Sequence, residues 1–114
     1  MIEGIGIDVV DIARFQESLE RTPTMKERIF TEREREMKLS SLAARFAAKE
    51  ALVKALDARE LFSWQDAEVI NEGSGKPAFI FTGALAARVA GTRVHLTLSH
   101  DAGIASAMVV IERI

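Results

Sequence analysis

Residues 44–55 hold five alanines, Ala44, Ala47, Ala48, Ala51 and Ala55, at helical spacing. At about 100° per residue they fall on one narrow arc, and side chains that small let another backbone pack close against it. The surrounding run ends near Leu56, is rich in alanine, leucine, lysine and glutamate, and has Ser41 as its expected N-cap. A chain with such a segment is expected to build itself around one central helix, the alanine side lying on a sheet. Arg45, Phe46, Lys49, Glu50 and Lys54 sweep across the opposite side. Arg45 and Lys49 stand at i, i+4, a repulsion that a bound anion such as phosphate would offset. An ordinary solvated face with Glu50 and Lys54 as a support pair accounts for the same spacing.

Asp8 tips that balance. It interrupts the apolar, β-prone run Ile5-Gly6-Ile7-Asp8-Val9-Val10. A carboxylate inside a buried strand must be paired or bind a metal, whereas one at a strand end can simply meet solvent. A strand aspartate facing a helix glutamate, Asp8 and Glu50, would make a hard oxygen site suited to Mg2+, with water and substrate phosphate completing the coordination.

The whole chain sets bounds on this reading. Its 114 residues, 48% hydrophobic and 28% charged, suit a single globular domain over 1–114, small enough to gain from burying surface in an oligomer. Fifteen cations against seventeen carboxylates give a formal charge of -2, so no nucleic-acid partner is implied. The absence of Cys excludes disulfides, thiolate metal sites and cysteine nucleophiles, and suits a reducing cytoplasm. No signal peptide or membrane span is expected.

Along the chain, residues 2–10 read as a strand and Asp11 as the cap of a helix carrying Ile12, Phe15 and Leu19. Thr22-Pro23-Thr24 ends that helix, and Met25–Phe30 is a short turn or helix. Thr31 and Glu34 form a capping box for another short helix reaching about Leu39. Residues 57–66 loop over the core with Leu61, Phe62 and Trp64 beneath. Residues 67–71 and 78–82 flank the turn Glu72-Gly73-Ser74-Gly75-Lys76-Pro77 as a hairpin. Thr82 caps an alanine-rich helix closed by Gly91. Residues 93–99 and 104–111 form a last hairpin about Asp101-Ala102-Gly103, with Val94, Leu96 and Leu98 on one face and His95, Thr97 and Ser99 on the other. Helices among mainly antiparallel hairpins define an α+β class.

Several of these segments occur together in one known family. Gly4-Ile5-Gly6-Ile7-Asp8-Val9-Val10 with Arg14, Phe30-Thr31-Glu32, Arg45-Phe46-Ala47-Ala48-Lys49-Glu50-Ala51 with Lys54, Gly75-Lys76-Pro77 and Leu98-Ser99-His100-Asp101 run in order through essentially the whole chain. The chain thereby resembles the holo-acyl-carrier-protein synthases, the short type of phosphopantetheinyl transferase. The resemblance implies a phosphopantetheinyl transferase-like fold, its mainly antiparallel sheet packed on the central helix. It also implies transfer of 4′-phosphopantetheine from coenzyme A to a serine of apo acyl carrier protein, leaving adenosine 3′,5′-bisphosphate. In that reading Asp8 and Glu50 hold Mg2+, and the serine proton passes to Glu50 or to a water on the metal. Arg45, Lys49 and Lys54 meet phosphates, and His100 with Gly75, Lys76 and Pro77 borders the nucleotide. Arg14, Arg21, Met25 and Arg28 face the acidic carrier protein, and the assembly is a homotrimer with active sites between subunits. Relatives usually place a glycine-containing turn soon after the central helix, whereas here Ala55–Glu60 continues in helix-forming residues. A Mg2+-dependent nucleotide hydrolase, or a non-enzymatic oligomeric scaffold, would use some of the same residues for other ends.

Overall fold

A computed structural model describes residues 1–57 and 63–114 of the chain. In order come strand β1 (Ile2–Asp11) and helices α1 (Ile12–Arg21), α2 (Thr24–Ile29), α3 (Glu32–Arg35) and α4 (Leu39–Leu56). A short 3-10 turn at Trp64–Asp66 follows, then strands β2 (Ala67–Asn71) and β3 (Pro77–Phe81), helix α5 (Gly83–Arg88), and strands β4 (Thr92–Asp101) and β5 (Ile104–Arg113). All pairings are antiparallel: β1-β5-β4 form one sheet and β2-β3 a second. The expected α+β class, an antiparallel sheet on a central helix, is the architecture found.

The alanine arc meets glycines. A Cβ placed on Gly6 would stand 1.9 Å from the Ala51 carbonyl oxygen, and one on Gly4 2.1 Å from that of Ala55. Backbone therefore lies on backbone, a distance that only Gly opposite Ala permits. Ala47, Ala48, Ala51 and Leu52 are wholly buried there, and Ala105, Ala107, Val109 and Ile111 of β5 complete the core under the helix.

Local chemistry fixes most of the ends. Asp11 accepts a hydrogen bond from Arg14 N at 3.0 Å and so caps α1, as the sequence implies. The Thr31–Glu34 capping box is present in both directions, yet α3 stops at Arg35 instead of reaching Leu39. Helix α4 then begins at Leu39 with Lys38 at its N-cap position, so Ser41 lies inside the helix and caps nothing. Thr82 holds the N-cap position of α5, but its hydroxyl donates to Asp66 Oδ1 at 3.1 Å. That helix closes at Arg88, with Gly91 three residues further on at φ +79°. Helix α4 ends at Leu56, as the sequence suggests, and Asp57 adopts the left-handed conformation (φ 51°) that a glycine turn would supply. The further helical continuation, and the placement of Leu61 and Phe62, lie outside the described residues. Trp64 is half-buried and stacks on Phe46 with ring centroids 5.9 Å apart, packed against the core as the sequence suggests.

Candidate active site

Strand alternation decides what Asp8 can reach. Asp8 pairs with Ala107, which pairs with Leu98, and this row looks toward α4, while Ile7 and Val9 face the other way. Beside Asp8 opens a cleft of about 570 Å³ lined by Asp8, Asp11, Arg14, Phe46 and Glu50, with Phe15, Ser18 and Met25 along its α1–α2 side. The two acidic residues foreseen for a metal, separated by 42 positions of sequence, thus border one space. Lys54 joins them: its ammonium donates to Ile7 O at 2.8 Å and to Asp8 Oδ1 at 3.2 Å. Among the described residues no group of three or more His, Cys, Asp or Glu gathers as a metal cage. Two carboxylates in an open cleft nonetheless fit Mg2+, which keeps waters and takes its remaining oxygens from substrate phosphate.

A second constellation lies on the neighbouring side of α4. Arg45 is only 5% exposed and donates through one terminal nitrogen to Asn71 Oδ1 at 2.9 Å, while its buried Nε has no hydrogen-bond partner. Asn71 in turn donates to Gly75 O at 3.0 Å, in the turn where Gly75 adopts φ +90°. The helix arginine and the Gly75-Lys76-Pro77 turn are therefore one hydrogen-bonded unit, beside a cavity of about 210 Å³ that also touches Arg33, Met37 and Ile70. Burial draws the Arg45 guanidinium below its ordinary range, against the opposing pull of Glu34 and Glu68.

Lys49 departs from expectation. It was expected on an exposed cationic face with Arg45, ready for phosphate, but its side chain is wholly buried and its ammonium forms a 2.6 Å ion pair with Glu34. The helix has no broad solvated side, because α2, α3 and the β2–β3 hairpin cover the arc carrying Arg45 and Lys49. The i, i+4 repulsion is offset by a carboxylate of the chain itself. Lys49 lines neither the cleft nor the cavity.

Of the residues foreseen at a partner surface, Arg14 and Met25 border the cleft. Arg21, seven residues after Arg14 and so on the same face of α1, donates to Ser18 Oγ at 3.4 Å. Arg28 is exposed on α2, beyond the cleft lining. His100 is exposed near the end of β4, in register with Ala105 and Val10, and does not line the cleft; nor do Gly75, Lys76 or Pro77. Sequence reasoning missed Asn71, which looked like the last residue of a strand, and the second role of Glu34, whose capping box hid its bond to Lys49.

The chain matches the 4′-phosphopantetheinyl transferase superfamily over residues 4–107 and belongs to it. Its relatives there are holo-[acyl-carrier-protein] synthases: that of Clavibacter sepedonicus is 56% identical over 98% of this chain and 97% of its own. The fold agrees with solved members. The holo-(acyl-carrier-protein) synthase of Bacillus anthracis, in complex with CoA (3′,5′-ADP), has a TM-score of 0.82 at 38% identity over 100% of this chain and 99% of that one. The ACPS–CoA complex of Chronobacterium ammoniagenes gives 0.86 at 28% identity over 97% of each chain.

Proposed function

We propose that this protein transfers the 4′-phosphopantetheine group of coenzyme A to a serine of an apo acyl carrier protein in a Mg2+-dependent reaction. The observation that carries this reading is the cleft shared by Asp8 and Glu50, with Lys54 on Asp8, in a chain of this family. In the transfer, a bond forms between the serine oxygen and the phosphorus bearing pantetheine. The bond from that phosphorus to the bridging pyrophosphate oxygen breaks, and adenosine 3′,5′-bisphosphate departs. Such a step asks for positioning and charge neutralisation more than for covalent help. Asp8 and Glu50 would hold the Mg2+, whose contribution when bound is to neutralise charge on the pyrophosphate.

The other side chains divide the substrates between them. Lys54 is half-exposed and within reach of the cleft, so its ammonium is a natural partner for a phosphate oxygen. Glu50 supplies an acceptor for the proton leaving the serine hydroxyl. Arg45, with its unpartnered Nε and its tie to the Gly75-Lys76-Pro77 turn, suits the nucleotide end of coenzyme A. We infer that His100 serves that same end from a neighbouring subunit, since it stands away from the cleft of its own chain. Arg14 and Met25 on the cleft wall, with Arg21 and Arg28 beyond, form a basic, partly apolar surface for an acidic carrier protein. Lys49 is assigned no phosphate contact. The setting we infer is the cytoplasm; among the described residues no helix is long and apolar enough to cross a membrane.

Intact-mass measurement of an apo carrier protein incubated with this protein, coenzyme A and Mg2+ tests the reading. The carrier should gain one phosphopantetheine group, and a chelator should prevent it. Asp8→Ala and Glu50→Ala should each lower the rate by at least about 10³-fold with an unchanged melting temperature. Coenzyme A consumed without an acceptor would identify a hydrolase instead. Near-normal transfer by either variant would remove the two carboxylates from the mechanism.

A further inference from the structure

Lys49 and Glu34 form a buried ion pair to which the transfer reaction assigns no part. Lys49 is wholly buried, Glu34 is 2% exposed, and Nζ lies 2.6 Å from Oε1. All three donors of the ammonium are committed, to Glu34 Oε1, to Ile29 O at 2.8 Å and to Trp64 O at 3.1 Å. The carboxylate also accepts from Thr31 N at 3.0 Å through Oε1 and from Val69 N at 2.8 Å through Oε2. Burial draws the Lys49 ammonium below the ordinary lysine range, and Glu34 pulls it back.

A desolvated charge pair is a poor means of stabilising a core, since apolar residues of equal volume often serve as well or better. Direction is what it adds: four backbone groups, Ile29 O of α2, Thr31 N before α3, Trp64 O and Val69 N of β2, are held at hydrogen-bond length from one pair that itself ties α3 to α4. Three of these struts end at a wall of a site described above. Ile29 closes α2, the helix that carries Met25 to the cleft. The Trp64 ring stacks on Phe46, and Phe46 stacks on Phe15 at 5.3 Å, both of them cleft residues. Glu34 and Val69 border the cavity of Arg45 and Asn71. On α4 itself, Arg45 precedes Lys49 by one turn and Glu50 follows it directly.

We propose that Lys49 and Glu34 are a positioning pair, which locks α2, α3 and the β2–β3 hairpin onto α4 so that the Glu50 cleft and the Arg45 cavity keep one fixed relation. The kinetic part of this inference rests on the transfer reaction proposed above; the structural part does not. Trp64 is the single tryptophan of the chain, so its fluorescence reads the pair without any turnover. Lys49→Met and Glu34→Gln are compared with the unaltered protein well below each variant's melting temperature, where the folded state is fully populated. Folded variants should show native far-UV dichroism, a red-shifted Trp64 emission and greater quenching by acrylamide. Their kcat/KM should fall about 10²-fold, the scale expected when reacting groups are misplaced by an ångström, with KM rising for both coenzyme A and the carrier protein. A pair that served stability alone would lower the melting temperature and leave emission, kcat and KM of the folded protein unchanged; that result overturns the proposal. Unchanged Trp64 emission overturns it even if the unaltered protein transfers nothing, so its failure is distinct from failure of the proposed function. Should Lys49→Met not fold, the isosteric Glu34→Gln carries the same test.

Discussion

At the scale of single residues, the carrier-protein role proposed for Arg14 can be tested apart from coenzyme A binding. Its backbone N–H is held by Asp11 while its exposed side chain borders the cleft with Met25 and Ser18. In the proposed reading, reversing that charge would act on an acidic protein surface approaching from outside, and little on a nucleotide held at the Arg45 end. Arg14→Glu is expected to raise KM for the carrier protein about tenfold or more and to leave KM for coenzyme A within about twofold. Steady-state kinetics with each substrate varied in turn measure both, and equal effects would make Arg14 structural. That Asp8 and Glu50 would border one space was legible because each broke a local pattern: a carboxylate amid apolar strand residues, and an acid within a row of cations. Lys49 was misplaced because helical periodicity reports which face a residue occupies and not what covers that face. Its counter-ion, Glu34, sits 15 positions away on another helix. Asn71 gave no signal, since linking Arg45 to Gly75 requires the hairpin to lie beside α4, a tertiary fact with no local trace.

Among the elements, the contact of β1 with α4 governs where Asp8 stands. Gly6 lies two residues before Asp8 and on the same face of the strand, pressed onto Ala51 O and 2.9 Å from Ala55 N as a Cβ would meet them. Both obstacles are backbone, so neither can rotate aside. Gly6→Ala should therefore lower stability by about 3 kcal/mol or more, the severe end of overpacking, and carry Asp8 away from Glu50. Gly73→Ala is the control: nothing lies within 4 Å and no positive φ is required, so a change within about 0.5 kcal/mol is expected. Urea midpoints report both, and a Gly6→Ala midpoint equal to that of Gly73→Ala would show that β1 can lift off without cost. The alanine arc and its seat on a sheet were readable in the sequence; that Gly4 and Gly6 would be the residues opposite it was not. Element ends were less readable. Lys38, a poor cap, starts α4 because α3 has already stopped and tertiary packing carries the helix, which overrides the preference of Ser41.

For the whole molecule, the outer face of the β1-β5-β4 sheet raises the remaining question. Ile5, Ile7 and Val9 are each about 60% exposed, and Met108, paired with Ile7, is 41% exposed. They form a contiguous apolar patch opposite the face that α4 covers, in a chain small enough that its own core leaves much apolar surface uncovered. Val9 also contributes to the cleft lining, so whatever seats on the patch lies next to the cleft of Asp8 and Glu50. The occupant we infer is further copies of the same chain, arranged about a threefold axis so that each cleft lies at a subunit boundary and His100 of one copy can approach the cleft of the next. A glutamate at the centre of the patch would be buried without a partner in such an assembly and remain solvated in a lone chain. Ile7→Glu is thus expected to convert a sedimenting species of three chains into one chain with native far-UV dichroism. Transfer should fall with it, although no side chain assigned to metal or phosphate has changed, and should recover in part as protein concentration is raised and the subunits reassociate. If the unaltered protein sediments as a single chain, or if Ile7→Glu remains trimeric, the patch is not the subunit interface. If the dissociated variant transfers at the normal rate, every group needed for the reaction comes from one chain, and His100 must act from within its own subunit or not at all.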